Sequence, residues 1–189
     1  MTQILVAGVD PSLNNFGLSK ATVDIETKSV VLHALELVTT ESDTANKKVV
    51  RKNSDDLERA RKLHKGLLTF IKDVDLVVVE IPVGSQSARA MASYGICIGV
   101  LAAIDKPFIQ VTPTEVKLVS VGSKTASKAQ MIEWATKLYP NADWLTQKRN
   151  GTLQYISKNE HLADSVAAIH AGLFTDQMKY LSLMFKNTG

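Results

Sequence analysis

The feature that most constrains this chain is Ile4-Leu5-Val6-Ala7-Gly8-Val9, an unbroken apolar run that ends in Asp10-Pro11-Ser12. A run of this length and β-branched content reads as a strand buried on both faces, and Pro11 keeps Asp10 extended rather than helical. A carboxylate therefore sits at the end of a core strand. Burying it unpaired is costly, so such an Asp either hydrogen-bonds its own turn, here with Ser12, Asn14 and Asn15 at hand, or meets a cation at a cleft.

The pattern recurs. Leu76-Val77-Val78-Val79 is a second apolar β run that ends in a carboxylate, Glu80, followed by Ile81-Pro82, where Pro82 limits further pairing. Between the two runs, segments 16–24 and 29–37 are β-rich and joined tightly at Glu26-Thr27-Lys28, which predicts a three-stranded antiparallel meander with the first strand. Residues 39–54 turn polar, with Lys47, Lys48, Arg51 and Lys52 clustered, and read as a mobile basic loop. Helical periodicity follows: Leu57, Ala60, Leu63, Leu67 and Ile71 share a face, and Arg59, Lys62 and Lys65 are expected away from it on a solvated side.

Residues 87–103 read as a helix apolar nearly all round, with Arg89 its main polar feature. Such a helix is either enclosed or shared with a partner chain, and in a domain of this size sharing is the expectation. A strand at 108–111, a short helix from Pro113, the Gly122-Ser123 bend and a helix at 127–138 capped by Ser127 follow. Asn150-Gly151 is a hairpin signal inside 142–157, where Lys148, Arg149 and the aromatic residues either touch nucleic acid or fold back on the domain. The last long helix is expected over 159–174, starting at Asn159 as N-cap, and a short amphipathic helix over 177–185.

At 189 residues the chain reads as one domain with one core. The single cysteine, Cys97, excludes an internal disulfide and a cysteine-based zinc site. A net charge of +3 tilts the surface slightly toward anionic partners. With no signal peptide and no apolar run long enough to span a membrane, a soluble cytoplasmic protein is expected.

The last helix carries His161 and Asp164 three positions apart, hence on one face. Either alone has an ordinary structural explanation. They meet the two strand-end carboxylates only if the strands are neighbours and this helix packs over them. Three carboxylates at close range would each bind a proton unless a cation neutralised them. Oxygen ligation with one imidazole suits magnesium or manganese better than zinc, and two such ions support in-line hydrolysis of a phosphodiester.

These residues resemble the RuvC-type Holliday-junction resolvases of the RNase H-like superfamily. The resemblance runs through Gly8-Val9-Asp10-Pro11-Ser12 with Gly17, Val78-Val79-Glu80, Thr114-Glu115-Val116-Lys117, Val121-Gly122, Ala126-Ser127-Lys128 and His161-Leu162-Ala163-Asp164-Ser165-Val166-Ala167. It implies an α/β fold with a mixed five-stranded sheet, an antiparallel three-strand meander and flanking helices, in a single nuclease domain over 1–189. It also implies a homodimer, paired through 87–103, that binds four-way DNA junctions and nicks two strands symmetrically. Carried over by position, Asp10, Glu80, His161 and Asp164 are the expected metal-binding and catalytic residues, with Mg2+ the expected ion and Mn2+ a substitute. Lys117 and Lys128 match the two active-site lysines, which would offset charge at the scissile phosphate. Arg89, Lys148 and Arg149 complete the expected DNA contacts.

The chain departs from the pattern twice. Ile81-Pro82-Val83-Gly84 lacks the aromatic residue that relatives carry after this glutamate, and the segment between Lys128 and His161 is longer, the excess being the hairpin. Both suit a phage-type or divergent member. The competing readings are a less selective nuclease for Y, flap or fork DNA, a catalytically silent junction binder, and an actin-like ATPase, which the lack of a second phosphate loop disfavours.

Overall fold

A computed structural model describes residues 3–43 and 51–187. The first apolar run forms β1 (Gln3–Pro11), which pairs antiparallel with β2 (Asn15–Asp24), itself antiparallel to β3 (Val30–Thr39). On its other side β1 pairs parallel with β4 (Leu76–Glu80), which pairs parallel with β5 (Phe108–Val111). The strand order is β3-β2-β1-β4-β5, so the two acid-tipped strands are neighbours at the centre of a mixed sheet. Val9 faces Val79 in the ladder, which places Asp10 and Glu80 one step further along at the same sheet end.

Side chains alternate across the sheet and divide the interior into two clusters, where one core was expected from the length. Val6, Val78 and Ile109 pack with α3 (Pro113–Val121), α4 (Lys128–Leu138) and α5 (Asn159–Gly172). Val9, Val77 and Val79 pack on the opposite face with α1 (Lys52–Phe70) and α2 (Ala88–Ala102). A last helix, α6 (Asp176–Asn187), follows α5. No helix among the described residues is long and apolar enough to cross a membrane.

Several expectations are corrected. The basic loop is shorter than 39–54, since α1 already begins at Lys52; Thr40 is buried with its hydroxyl on the Leu13 carbonyl, and Ser42 and Asp43 donate to the Asp55 carboxylate, while Lys47 and Lys48 lie outside the described residues. Arg59 is buried rather than solvated, because it repeats at helical spacing with Leu63, Leu67 and Phe70, while Leu57 is 55% exposed. The guanidinium tolerates this because Thr40, the Leu13 carbonyl, Asn14 and Asp56 fill its donors. Asn159 does not cap α5. Its buried side chain instead binds both backbone groups of Leu145.

The hairpin is shorter than 142–157. It comprises β6 (Thr146–Arg149) and β7 (Thr152–Tyr155) around a turn with positive φ at Asn150 and Gly151, while Trp144 packs into the core.

Candidate active site

Two glycines let α5 settle on the sheet. A Cβ on Gly8 would lie 2.0 Å from the Ser165 carbonyl, and one on Gly17 1.9 Å from the His161 carbonyl. No side chain fits at either position, and the resulting close approach brings the first turns of α5 over the end of β1. His161 Nδ1 consequently lies 2.6 Å from Asp10 Oδ2. The other ring nitrogen, Nε2, is 3.3 Å from the Asn15 amide nitrogen, so the neutral ring that donates to Asp10 accepts from Asn15. Burial pulls the imidazole pKa down, but the Asp10 hydrogen bond and the charges of Asp10, Glu160 and Asp164 outweigh it and raise it above 6.5.

Glu80 and Asp164 feel the same field without a comparable partner. Burial, then the charges of Asp10 and Asp164, push the Glu80 carboxyl up to about 9, against which the Lys117 ammonium works. Burial and the Asp10 charge raise Asp164 to about 7, opposed by His161 and Lys117. Asp164 Oδ1 is buried with no hydrogen-bond partner. Asp10, Glu80, Asp164, His161 and Lys117 therefore form one electrostatic cluster. Among the described residues, no three His, Cys, Asp or Glu side chains already form a group able to hold a metal ion, and Asp10 is turned to His161 instead.

The donor set nevertheless fits a hard divalent cation. Its oxygen ligands are held in excess of their local positive charge, and one lone-pair-bearing oxygen is left buried and unpartnered. Such an ion would be held by Asp10, Glu80, Asp164 and His161 once these side chains turn to a common point.

The remaining sequence candidates lie outside this cluster. Lys128 is at the cluster's edge, its side chain 80% exposed and 2.8 Å from Glu160, which is itself 3.5 Å from His161 Nε2. Arg89 makes a bidentate pair with Asp56, at 2.5 and 2.8 Å. Lys148 and Arg149 are exposed on the hairpin. Three participants escaped the sequence reading: Asn15, Glu160 and the Asp56–Arg59 pair. Asn15 was legible only as a turn residue, Glu160 only as a first-turn acid, and Arg59 through its spacing with Leu63 and Leu67.

A polar path also joins the site to α2. Arg89 pairs with Asp56, Asp56 with Arg59, Arg59 with Asn14 and the Leu13 carbonyl, and the next residue in that turn, Asn15, with His161. The turn that orients the imidazole is thus fixed from behind by buried charge.

No protein-family model and no curated protein matches the sequence. Solved structures do. RuvC from Thermus thermophilus matches with a TM-score of 0.62 at 21% identity over 93% of this chain and 97% of that one. The same protein in complex with a Holliday junction substrate gives 0.61 at 20% identity, over 89% and 92%. The Fowlpox virus resolvase bound to Holliday junction DNA gives 0.51 at 21% identity, over 94% and 99%. The likeness runs the length of both chains and includes the five-stranded mixed sheet with its flanking helices. The protein has the RuvC-type, RNase H-like fold.

Proposed function

We propose that this protein is a metal-dependent, structure-selective DNA endonuclease that resolves four-way junctions by paired symmetric nicks. The observation that carries this reading is the buried cluster at the sheet end, where Glu80 and Asp164 are raised to about 9 and about 7 and an Asp164 oxygen is orphaned. A domain gains nothing from such a cluster unless a cation, and through it an anionic substrate, is brought in. A fold shared with two proteins solved on Holliday junctions supports DNA as that substrate.

In this reading Asp10, Glu80, Asp164 and His161 hold Mg2+, with Mn2+ as substitute. Ions held there would supply Lewis-acid activation of water and charge neutralisation at the leaving oxygen of the phosphodiester. The protein's own groups do the rest. Before an ion binds, Asn15 and Asp10 engage the two nitrogens of the His161 ring, and one of these contacts gives way for a ring nitrogen to face the ion; Lys117 sets positive charge beside Glu80 and Asp164, and Lys128, released from Glu160, approaches the strand. Lys148 and Arg149 contact the arms, and Arg89 joins them only where its guanidinium leaves Asp56. Paired nicking needs two sites, and α2 is the dimer element. Met91 and Ile98 are about half exposed, and a cavity of about 650 Å³ between α1 and α2 is lined by Leu57, Ile96 and Val100. A partner copy of α2 would cover it. Such an enzyme works in the cytoplasm of a bacterial or phage-infected cell.

The stretch 81–84 favours one alternative, a broader branched-DNA nuclease: it holds no aromatic residue, and Val83 is 77% exposed. Incubating the protein and Mg2+ with matched four-way, three-way and linear duplexes decides between them. Preferential, paired cutting of the four-way substrate is expected, whereas equal cutting of all three removes the junction assignment.

A further inference from the structure

The β6–β7 hairpin stands apart from both hydrophobic clusters. All eight of its ladder residues are exposed, and it forms a two-stranded sheet of its own. Its register sorts those residues. Cross-strand partners are Thr146 with Tyr155, Gln147 with Gln154, Lys148 with Leu153 and Arg149 with Thr152. Alternate pairs point to opposite faces, so Gln147, Arg149, Thr152 and Gln154 share one side, and every one carries hydrogen-bonding groups. The other side carries Thr146, Lys148, Leu153 and Tyr155. At the base of that side Tyr155 borders a cavity of about 600 Å³ with Ile132 and Thr136 of α4, which leaves the Gln–Arg face turned outward.

Such a ribbon cannot build a core, and its base is nonetheless anchored. Positive φ at both Asn150 and Gly151 gives the turn that matches the twist of paired strands. The Asn159 side chain clamps Leu145 through two hydrogen bonds, and Ile156 N donates to the Leu145 carbonyl. Asn159 opens α5, two residues before His161. An arm anchored at its base thus leaves the helix that carries the site, in a stretch, 146–158, with three cations and no acid.

We infer that the outward Gln147–Arg149–Thr152–Gln154 face of this ribbon reads base edges in the groove of a DNA duplex arm and sets the sequence preference of the cut. A two-stranded ribbon fits the major groove, where Arg pairs bidentately with guanine and Gln with adenine. Gln and Thr, which dominate the face, can hydrogen-bond a phosphate but bring no charge to attract one, so the face is better matched to base edges than to the backbone field. The outer edges of β6 and β7 would also admit a protein strand, but a face that carries Arg149 and no acid favours nucleic acid. The inference rests on the junction-nuclease reading and deepens it.

The test uses four-way junctions with randomised arms, cut in Mg2+ and sequenced at the nicks, for wild type, Gln147→Ala with Gln154→Ala, and Arg149→Lys. The readout is the ratio of cutting among sequences, which does not depend on overall rate. Wild type should show a preference that each variant weakens about tenfold. Arg149→Lys keeps the charge but not the bidentate fork, so its salt dependence should match wild type. Unchanged preference in the variants, no preference in wild type, or a uniform loss of affinity with a shallower salt slope would overturn base reading. So would variants that alter self-association alone. Should wild type cut no DNA, the nuclease reading fails by itself. The ribbon is then judged by selecting bound junctions from the same pool in EDTA, where the same loss of preference supports it and its absence overturns it.

Discussion

The protein buries two groups of charges, and they are built on opposite principles. Around Asp56 every charge is answered: Arg89 and Arg59 flank the carboxylate, and the remaining guanidinium donors of Arg59 reach Thr40, Leu13 and Asn14. Its hydrogen bond from Arg89 holds the Asp56 carboxyl below the usual range. Around Asp164 the account is left open, with two carboxyls raised and an oxygen unpartnered. A folded chain satisfies charges that serve structure. An unsatisfied carboxyl group, kept at a cost in stability, is what the proposed cation site requires.

The sharpest way to break this contrast is to neutralise one acid in each group. Asp10→Asn should reduce cleavage at least about a thousandfold while leaving junction affinity intact or tighter, since a charge that repels phosphate is removed; gel-shift and cleavage assays on one preparation read both. Asp56→Asn or Arg59→Met should instead cost about 3 kcal/mol in denaturant unfolding, because a buried partner is stranded. Loss of activity there should be secondary, by way of the Asn14–Asn15 turn. If Asp10→Asn keeps its activity, or Arg59→Met unfolds no more easily, the two groups are not different in kind.

The pH dependence of stability separates them further. Glu80 and Asp164 have folded-state values above their ordinary 4.5 and 3.8, so the folded state holds protons that the unfolded chain has released. Stability without metal should therefore fall as pH rises from about 4 toward 9, and 10 mM-scale Mg2+ should flatten that slope in thermal melts compared with EDTA. A metal-free slope of the opposite sign would contradict uncompensated acids.

A smaller effect should come from His170, which burial pulls to about 4 and whose Nε2 lies 2.8 Å from the Tyr139 hydroxyl. Its folded value lies below 6.5, so its own contribution to stability is lost as pH falls from about 6.5 toward 4, opposing the larger gain from Glu80 and Asp164, and His170→Gln should steepen the metal-free rise in stability on acidification. The smallest change expected is that of Glu160→Gln. Freeing the exposed Lys128 should alter the cleavage rate only a few-fold, because a surface ion pair contributes little.

Much of this was readable in the residues. The two acid-tipped runs, the meander and the last helix came from periodicity and turn chemistry, which are local. For Arg59 charge alone suggests solvent, whereas its spacing with Leu63 and Leu67 points inward, and the packing follows the spacing. Asn159 looked like a cap, and was taken by Leu145 because the hairpin base supplies two backbone groups that only tertiary folding brings there. Which face of β6–β7 carries Gln147 and Arg149 follows from register, and register is fixed by the turn.

The sequence by itself determined that carboxylates would end two core strands and that an imidazole and a third carboxylate would share one helix face, since these follow from backbone periodicity and the rigidity of Pro11. The tertiary structure alone decided that β1 and β4 are neighbours, that Gly8 and Gly17 admit α5 to within contact of the sheet, and that Asp56 is compensated while Asp164 is not. Compensation depends on what packs across the interior from far along the chain, and no local pattern carries that information.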